Sequence, residues 1–198
     1  MKKVILLGDS IKAWYAKRVR ELLSGKCEVI FSEGDNGRFT YYSLHQLCSL
    51  LNEHGKVDLV HFNNGYWDMG IMPFLNRTIF SLEEYQHGLR RIIELSRAAG
   101  ADLIFATTTP LPSSGKAEDN TGTGATFVFE QQRVLDFNNA ALEVMKEENI
   151  TINDLYAVCK QDKNFYKCED NLHHTPEGNE VLAQHVAAAI LKKLNIEN

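Results

Sequence analysis

The chain has 198 residues, 44% hydrophobic and 24% charged, with a formal net charge of −5. That suffices for one domain, 1–198, with a sizeable core, and it is an ordinary globular composition. The negative balance gives no electrostatic case for nucleic acid or an anionic membrane as partner, and no apolar run approaches a membrane span. Met1-Lys2-Lys3 imitates the charged start of a secretory leader, but the apolar run behind it is short and ends in Gly-Asp-Ser, so a cytoplasmic protein is expected.

Taken in order, apolar runs and helical patterns alternate. Val4, Ile5, Leu6 and Leu7 read as a buried strand, broken by Gly8. Ile11, Tyr15, Val19 and Leu22 mark one face of a helix ending near Gly25. Residues 27–31 form a second strand. Leu44, Leu47, Cys48 and Leu51 mark a second helix, closed by Gly55, and 57–62 is a third strand that runs into Asn63-Asn64-Gly65. Ser81 with Glu84 resembles a capping box, opening a helix with Leu82, Tyr85, Leu89, Ile92 and Ile93 inward. Strand 101–106, a helix marked by Val134, Phe137, Ala141, Val144 and Met145, and a short strand 150–152 follow. A last helix starts at Pro176, a residue suited to the first turn, and runs to about Leu194. This alternation predicts an α/β fold, a five-stranded parallel sheet between helical layers. Segments 68–80 and 107–129 read as long loops leaving the carboxyl edge of that sheet, where open α/β sheets bind ligands.

Of the four cysteines, Cys27 and Cys48 fall in a strand and a helix pattern and are expected in the core. Cys159, Cys168, His173 and His174 match no zinc spacing, so no metal is expected. Neither G-x-G-x-x-G nor a phosphate-binding G-x-x-x-x-G-K-[ST] occurs, which argues against a nucleotide, and no cofactor is expected.

The chemistry gathers at the two ends. Ser10 follows the first strand at the ligand edge, either as a helix N-cap or as a nucleophile. A serine hydroxyl needs a base, and the base an orienting carboxylate. Asp170 and His173 stand close enough for one loop, just before the last helix, to supply both. His61 is read as a hydrogen-bonded core residue, and His174 as the rival of His173.

Gly8-Asp9-Ser10, with Asp170-x-x-His173 followed by Thr-Pro-Glu-Gly, resembles the GDSL, or SGNH, hydrolases over essentially the whole chain. The resemblance implies a flavodoxin-like three-layer α/β/α sandwich and metal-free hydrolysis of esters or thioesters, with Ser10, His173 and Asp170 as the catalytic set. It also implies an oxyanion donor from the backbone of Gly37, in Asp35-Asn36-Gly37-Arg38. The family's Gly-x-Asn-Asp after the third strand here reads Gly65-Tyr66-Trp67-Asp68, so Trp67 stands in the place of the Asn. The remaining donor is then Trp67, Asn63 or Asn64; the two Asn side chains should point to opposite faces. Tyr66, Trp67, Phe127 and Phe129 sit in or beside the edge loops, to stack on a substrate or to pack the loops down. The expected substrate is a small-molecule ester carrying a small acyl group, with acetyl on a carbohydrate as the leaning. A lysophospholipase or thioesterase and a non-catalytic binding module on the same fold are the alternatives. Oligomeric state leaves no signal in the sequence.

Overall fold

A computed structural model describes residues 1–72, 74–112, 116–120, 126–161, 168 and 170–197. In chain order the elements are β1 (Lys2–Gly8), α1 (Ser10–Leu22), β2 (Cys27–Ile30), α2 (Thr40–His54), β3 (Leu59–Asn63), α3 (Tyr66–Met69), β4 (Ile71–Met72), β5 (Arg77–Thr78), α4 (Leu82–Ala98), β6 (Asp102–Ala106), β7 (Lys116–Asn120), β8 (Thr126–Glu130), α5 (Gln131–Glu147), β9 (Thr151–Asn153), α6 (Leu155–Gln161) and α7 (Pro176–Leu194). Five strands make one parallel sheet in the order β2-β1-β3-β6-β9. The chain winds outward in one direction from β1 to β2 and in the other from β3 to β9. The reversal lies between β1 and β3, and in such sheets the crevice beyond the carboxyl ends at that reversal is the ligand site.

The central strands are apolar on both faces because helices cover both: Val4 to Leu7 are at most 1% exposed, and all of β3 is buried. Helix α1 packs on α7 and α7 on α6, while α2 packs on α4 and α4 on α5, giving a helical layer on each side of the sheet. The helix ends follow the local sequence. Ser81 Oγ accepts from the Glu84 amide and Glu84 accepts from the Ser81 amide, so the expected capping box forms. Thr175 caps α7, with Pro176 in its first turn. Among the described residues, no helix is long and apolar enough to cross a membrane.

Three expectations change. Segment 68–80 holds the second half of α3 and the β4–β5 hairpin, and 107–129 holds β7 and most of β8; 113–115 and 121–125 lie outside the described residues. Strands β5-β4-β8-β7 form a second, antiparallel sheet. Cys48 is exposed, because α2 turns Thr40, Ser43 and Gln46 inward with Leu47 and Leu50. A polar stripe of this kind escapes a search for apolar periodicity. Leu82 is 42% exposed, since the inward face of α4 begins one turn later at Tyr85. Helix α6 was not foreseen from the sequence.

Two loops meet at the carboxyl edge more closely than side chains allow. A Cβ on Gly37 would lie 2.3 Å from the Gly8 carbonyl oxygen and 2.7 Å from Ser43 Oγ. A Cβ on Gly8, whose φ is +147°, would lie 2.4 Å from the Asn63 carbonyl oxygen. Gly37→Ala is therefore expected to lower stability by about 1–3 kcal/mol. Urea unfolding checks this, and an unchanged midpoint would show that the loops have room.

Candidate active site

At the reversal point the backbone leaves β1 through Gly8 and enters α1 at Ser10. Asp9, not Ser10, is the N-cap: its Oδ1 accepts the Ile11 amide at 3.0 Å. The capping role is thus filled by the neighbour, and the Ser10 hydroxyl is left for another partner. That partner is His173. Its Nε2 lies 2.8 Å from Ser10 Oγ, across 163 positions of sequence. Its Nδ1 lies 2.5 Å from Asp170 Oδ2.

The Asp170 loop is built to hold this geometry. Asp170 Oδ1 accepts the amides of Leu172 and His173, each at 2.9 Å, which leaves Oδ2 for the imidazole. Burial alone would raise the Asp170 carboxyl. The His173 hydrogen bond and the two amides outweigh it and hold the group below the usual carboxylate range. An ionised carboxylate only accepts, so Nδ1 carries the ring proton and the Nε2 lone pair faces Ser10. His174, the rival, turns into the core at 1% exposure against Cys159, with Nε2 3.6 Å from Sγ, and burial lowers its pKa to about 4. His61 is fully buried and bonded to Asn153 at 3.3 Å.

The expected oxyanion donors fare differently. The Gly37 amide donates to the Gly8 carbonyl at 3.0 Å rather than into the site, because the two loops are pressed together there. Asn63 donates to the Ala106 carbonyl at 3.0 Å, tying β3 to β6. Asn64 donates to Ser43 Oγ at 2.8 Å and to the Arg38 carbonyl at 3.3 Å, while Ser43 Oγ donates to the Gly37 carbonyl. Both Asn amides are thereby committed to the scaffold. The Trp67 indole packs edge-on against Phe39 and Phe127, and its N–H has no acceptor among the described residues. That nitrogen is also absent from the buried unpartnered atoms, so it reaches open space. The Ser10 amide, in the first turn of α1, has no intrahelical acceptor either.

Further neighbours surround the site; Trp14 and Lys12 among them were not singled out in the sequence. Asp68 is fully buried and accepts the Thr40 amide at 3.0 Å and 3.2 Å through its two oxygens, pinning α3 to the start of α2. Its place after Trp67 in the third motif was the available signal. Trp14 stacks on the His173 ring; it lies four residues past Ser10, hence on the same helix face. Lys12 is 1% exposed, and burial draws its pKa down to about 8 against the opposing pull of Asp9 and Asp35. Burial lifts Asp9 to about 6, against the Ile11 amide, His173 and Lys12. Tyr66, Trp67, Phe127 and Phe129 are all buried and pair edge-on, so they pack the second sheet onto α3. A groove of about 250 Å³ opens beside Ser10, bordered by Trp14, Phe31, Asp35 and Asn36.

No family model matches the chain. A human isoamyl acetate-hydrolyzing esterase 1 homolog is 24% identical over 206 residues, covering 98% of this chain and 83% of that protein. A lipase/acylhydrolase from Enterococcus faecalis superposes with a TM-score of 0.74 at 21% identity, over 98% of this chain and 97% of the other. The chain has the fold of the GDSL/SGNH hydrolases. A GDSL-like lipase from Bacteroides thetaiotaomicron agrees, with a TM-score of 0.71 at 17% identity over 97% and 89% of the two chains. Asp68 closes the stretch Gly65-Tyr66-Trp67-Asp68 and ties it to the start of α2 through the Thr40 amide.

Burial raises the Asp68 carboxyl from 3.8 to about 7, with the Thr40 amide opposing. A folded-state pKa above the unfolded one contributes stability that is complete below about 3.8 and is lost as pH rises to about 7. Asp68→Asn keeps an acceptor for Thr40 and carries no charge. The melting temperature of the variant relative to wild type should therefore climb between about pH 4 and about pH 8. A pH-independent difference in thermal melts would contradict this.

Proposed function

We propose that this chain is a serine-dependent ester hydrolase of the SGNH type, with Ser10 as nucleophile, His173 as general base and acid, and Asp170 as the group that orients the imidazole. The observation that carries the reading is the unbroken hydrogen-bond chain from Asp170 through His173 to Ser10. It also argues against a non-catalytic module, for which a serine left free of its cap and aimed at a base has no use.

The steps follow from the geometry. Ser10 Oγ attacks the ester carbonyl carbon as its proton passes to His173 Nε2. Asp170 stabilises the imidazolium and keeps its tautomer. Negative charge grows on the carbonyl oxygen, facing the N-terminal end of α1, whose dipole favours an anion. The donors we assign to it are the Ser10 amide and the Trp67 indole N–H, neither of which bonds to the scaffold among the described residues. His173 returns the proton to the departing alcohol oxygen. A water then gives its proton to His173 and attacks the acyl carbon, releasing the acid and restoring Ser10.

The substrate is an ester of a small acyl group. The human relative is named for an acetate ester, and the groove beside Ser10 is of small-molecule size. The groove's border of Trp14 and Phe31 with Asp35 and Asn36 mixes aromatic faces with polar groups. That mixture suits an O-acetylated carbohydrate, the alcohol side we assign to it.

Ser10→Ala should abolish hydrolysis of a 4-nitrophenyl acetate probe while leaving the thermal melt in place; full activity in that variant would end the proposal. Trp67→Phe keeps the aromatic packing and removes the N–H, so kcat should fall by ~10²–10³. An unchanged kcat would remove Trp67 from the oxyanion site and leave the Ser10 assignment standing.

A further inference from the structure

Trp14 borders the groove, and the steps proposed above give it no part in the proton transfer. It stands one helical turn beyond Ser10 on α1, so its side chain rises beside the nucleophile. Its indole lies parallel to the His173 imidazole, with ring centroids 4.9 Å apart and planes 11° from parallel. The ring is nonetheless 52% exposed. A large aromatic half in water contributes little to a core.

The groups around the imidazole are distinct in kind. Asp170 meets the ring edge at Nδ1, and Ser10 meets it at Nε2. Asp9, buried at the start of α1, is coupled to it through charge. Among the described residues, Trp14 alone stacks on a face of it. On a neutral imidazole this is an ordinary aromatic contact. Once His173 has taken the Ser10 proton the ring is a cation, and an indole face attracts a cation more strongly than other aromatic side chains do. The contact therefore strengthens as the transition state is approached, and only interactions of that kind raise kcat.

We infer that Trp14 is a positioning residue that acts through His173: it fixes the plane of the imidazole toward Ser10 and stabilises the imidazolium while the proton is held there. The inference rests on the proposed proton transfer from Ser10. It predicts a loss common to every ester the protein cleaves, because the imidazolium forms whatever the acyl group. A residue that served only as a groove wall would instead alter KM, and alter it differently for different substrates.

The test is a substitution series, Trp14→Phe, Trp14→Tyr and Trp14→Leu, each checked for an unchanged circular dichroism spectrum and assayed on 4-nitrophenyl acetate and 4-nitrophenyl butyrate. Trp14→Leu should lower kcat about two- to thirtyfold with KM nearly constant, by the same factor for both esters. The Phe and Tyr variants should recover most of kcat. The rate at which a fluorophosphonate probe labels Ser10 should fall in step, since labelling also needs His173 as base. Equal kcat in wild type and Trp14→Leu, a change confined to KM, or no recovery with Phe and Tyr would overturn the role of Trp14. A wild-type protein that neither labels at Ser10 nor loses activity on Ser10→Ala would overturn the underlying reaction, and the inference with it.

Discussion

The contact between Ser10 Oγ and His173 Nε2 joins the two ends of the chain, and the rest of the architecture can be understood as what brings them together. A single hydrogen bond contributes only about 1 kcal/mol net, too little to organise a fold. The organisation runs the other way. β1 is central because its residues are apolar on both faces, and it carries Ser10 to the middle of the carboxyl edge. α7 lies against α1, and the loop that precedes it delivers His173 beside Ser10. Arg18 on α1 forks onto Glu180 on α7 through two hydrogen bonds. An exposed pair of this kind adds little stability, but its fork geometry sets the two helices in register about two turns along α1 from the Ser10–His173 contact.

Around that contact, hydrogen-bonding capacity is divided between holding loops and serving a substrate. Gly37, Asn63 and Asn64 are spent on the loops: on Gly8, on Ala106, and on Ser43 with Arg38. Asp68 fixes Thr40, and Tyr85 donates to the Asn64 carbonyl from α4. These bonds explain why α2 turns Thr40, Ser43 and Gln46 inward. Each buried polar group there either meets a loop that must not move or lies next to one. Among the described residues, the Ser10 amide at the start of α1 and the Trp67 indole N–H are not spent on these loops. Phe39 and Phe127 brace the Trp67 ring on two sides.

The sequence made much of this legible, for identifiable reasons. Val4 to Leu7, the Ser81 capping box and Pro176 are local signals, and the elements they mark lie where expected. Gly8-Asp9-Ser10 and Asp170-x-x-His173 are compact motifs, each contained in a few consecutive residues. The second antiparallel sheet was hidden because its strands are two to five residues long and pair across long separations in Thr-, Ser- and Gly-rich sequence. The duties of Asn63 and Asn64 were hidden because alternation along a strand says which face a side chain takes but not what it meets there. Trp14 escaped because apolar periodicity asks which residues a helix buries, and Trp14 lies outside that stripe. Counting one turn on from a candidate nucleophile would have found it.

The central claim is that the acyl group passes through Ser10, and trapping that intermediate tests it most directly. Acid quenching during turnover of 4-nitrophenyl acetate, followed by peptide mass spectrometry, should place one acetyl group on Ser10, and none in a His173→Ala protein treated in the same way. Steady turnover with Ser10 unmodified at every quench time, or acetyl found on another side chain in its place, would contradict the account.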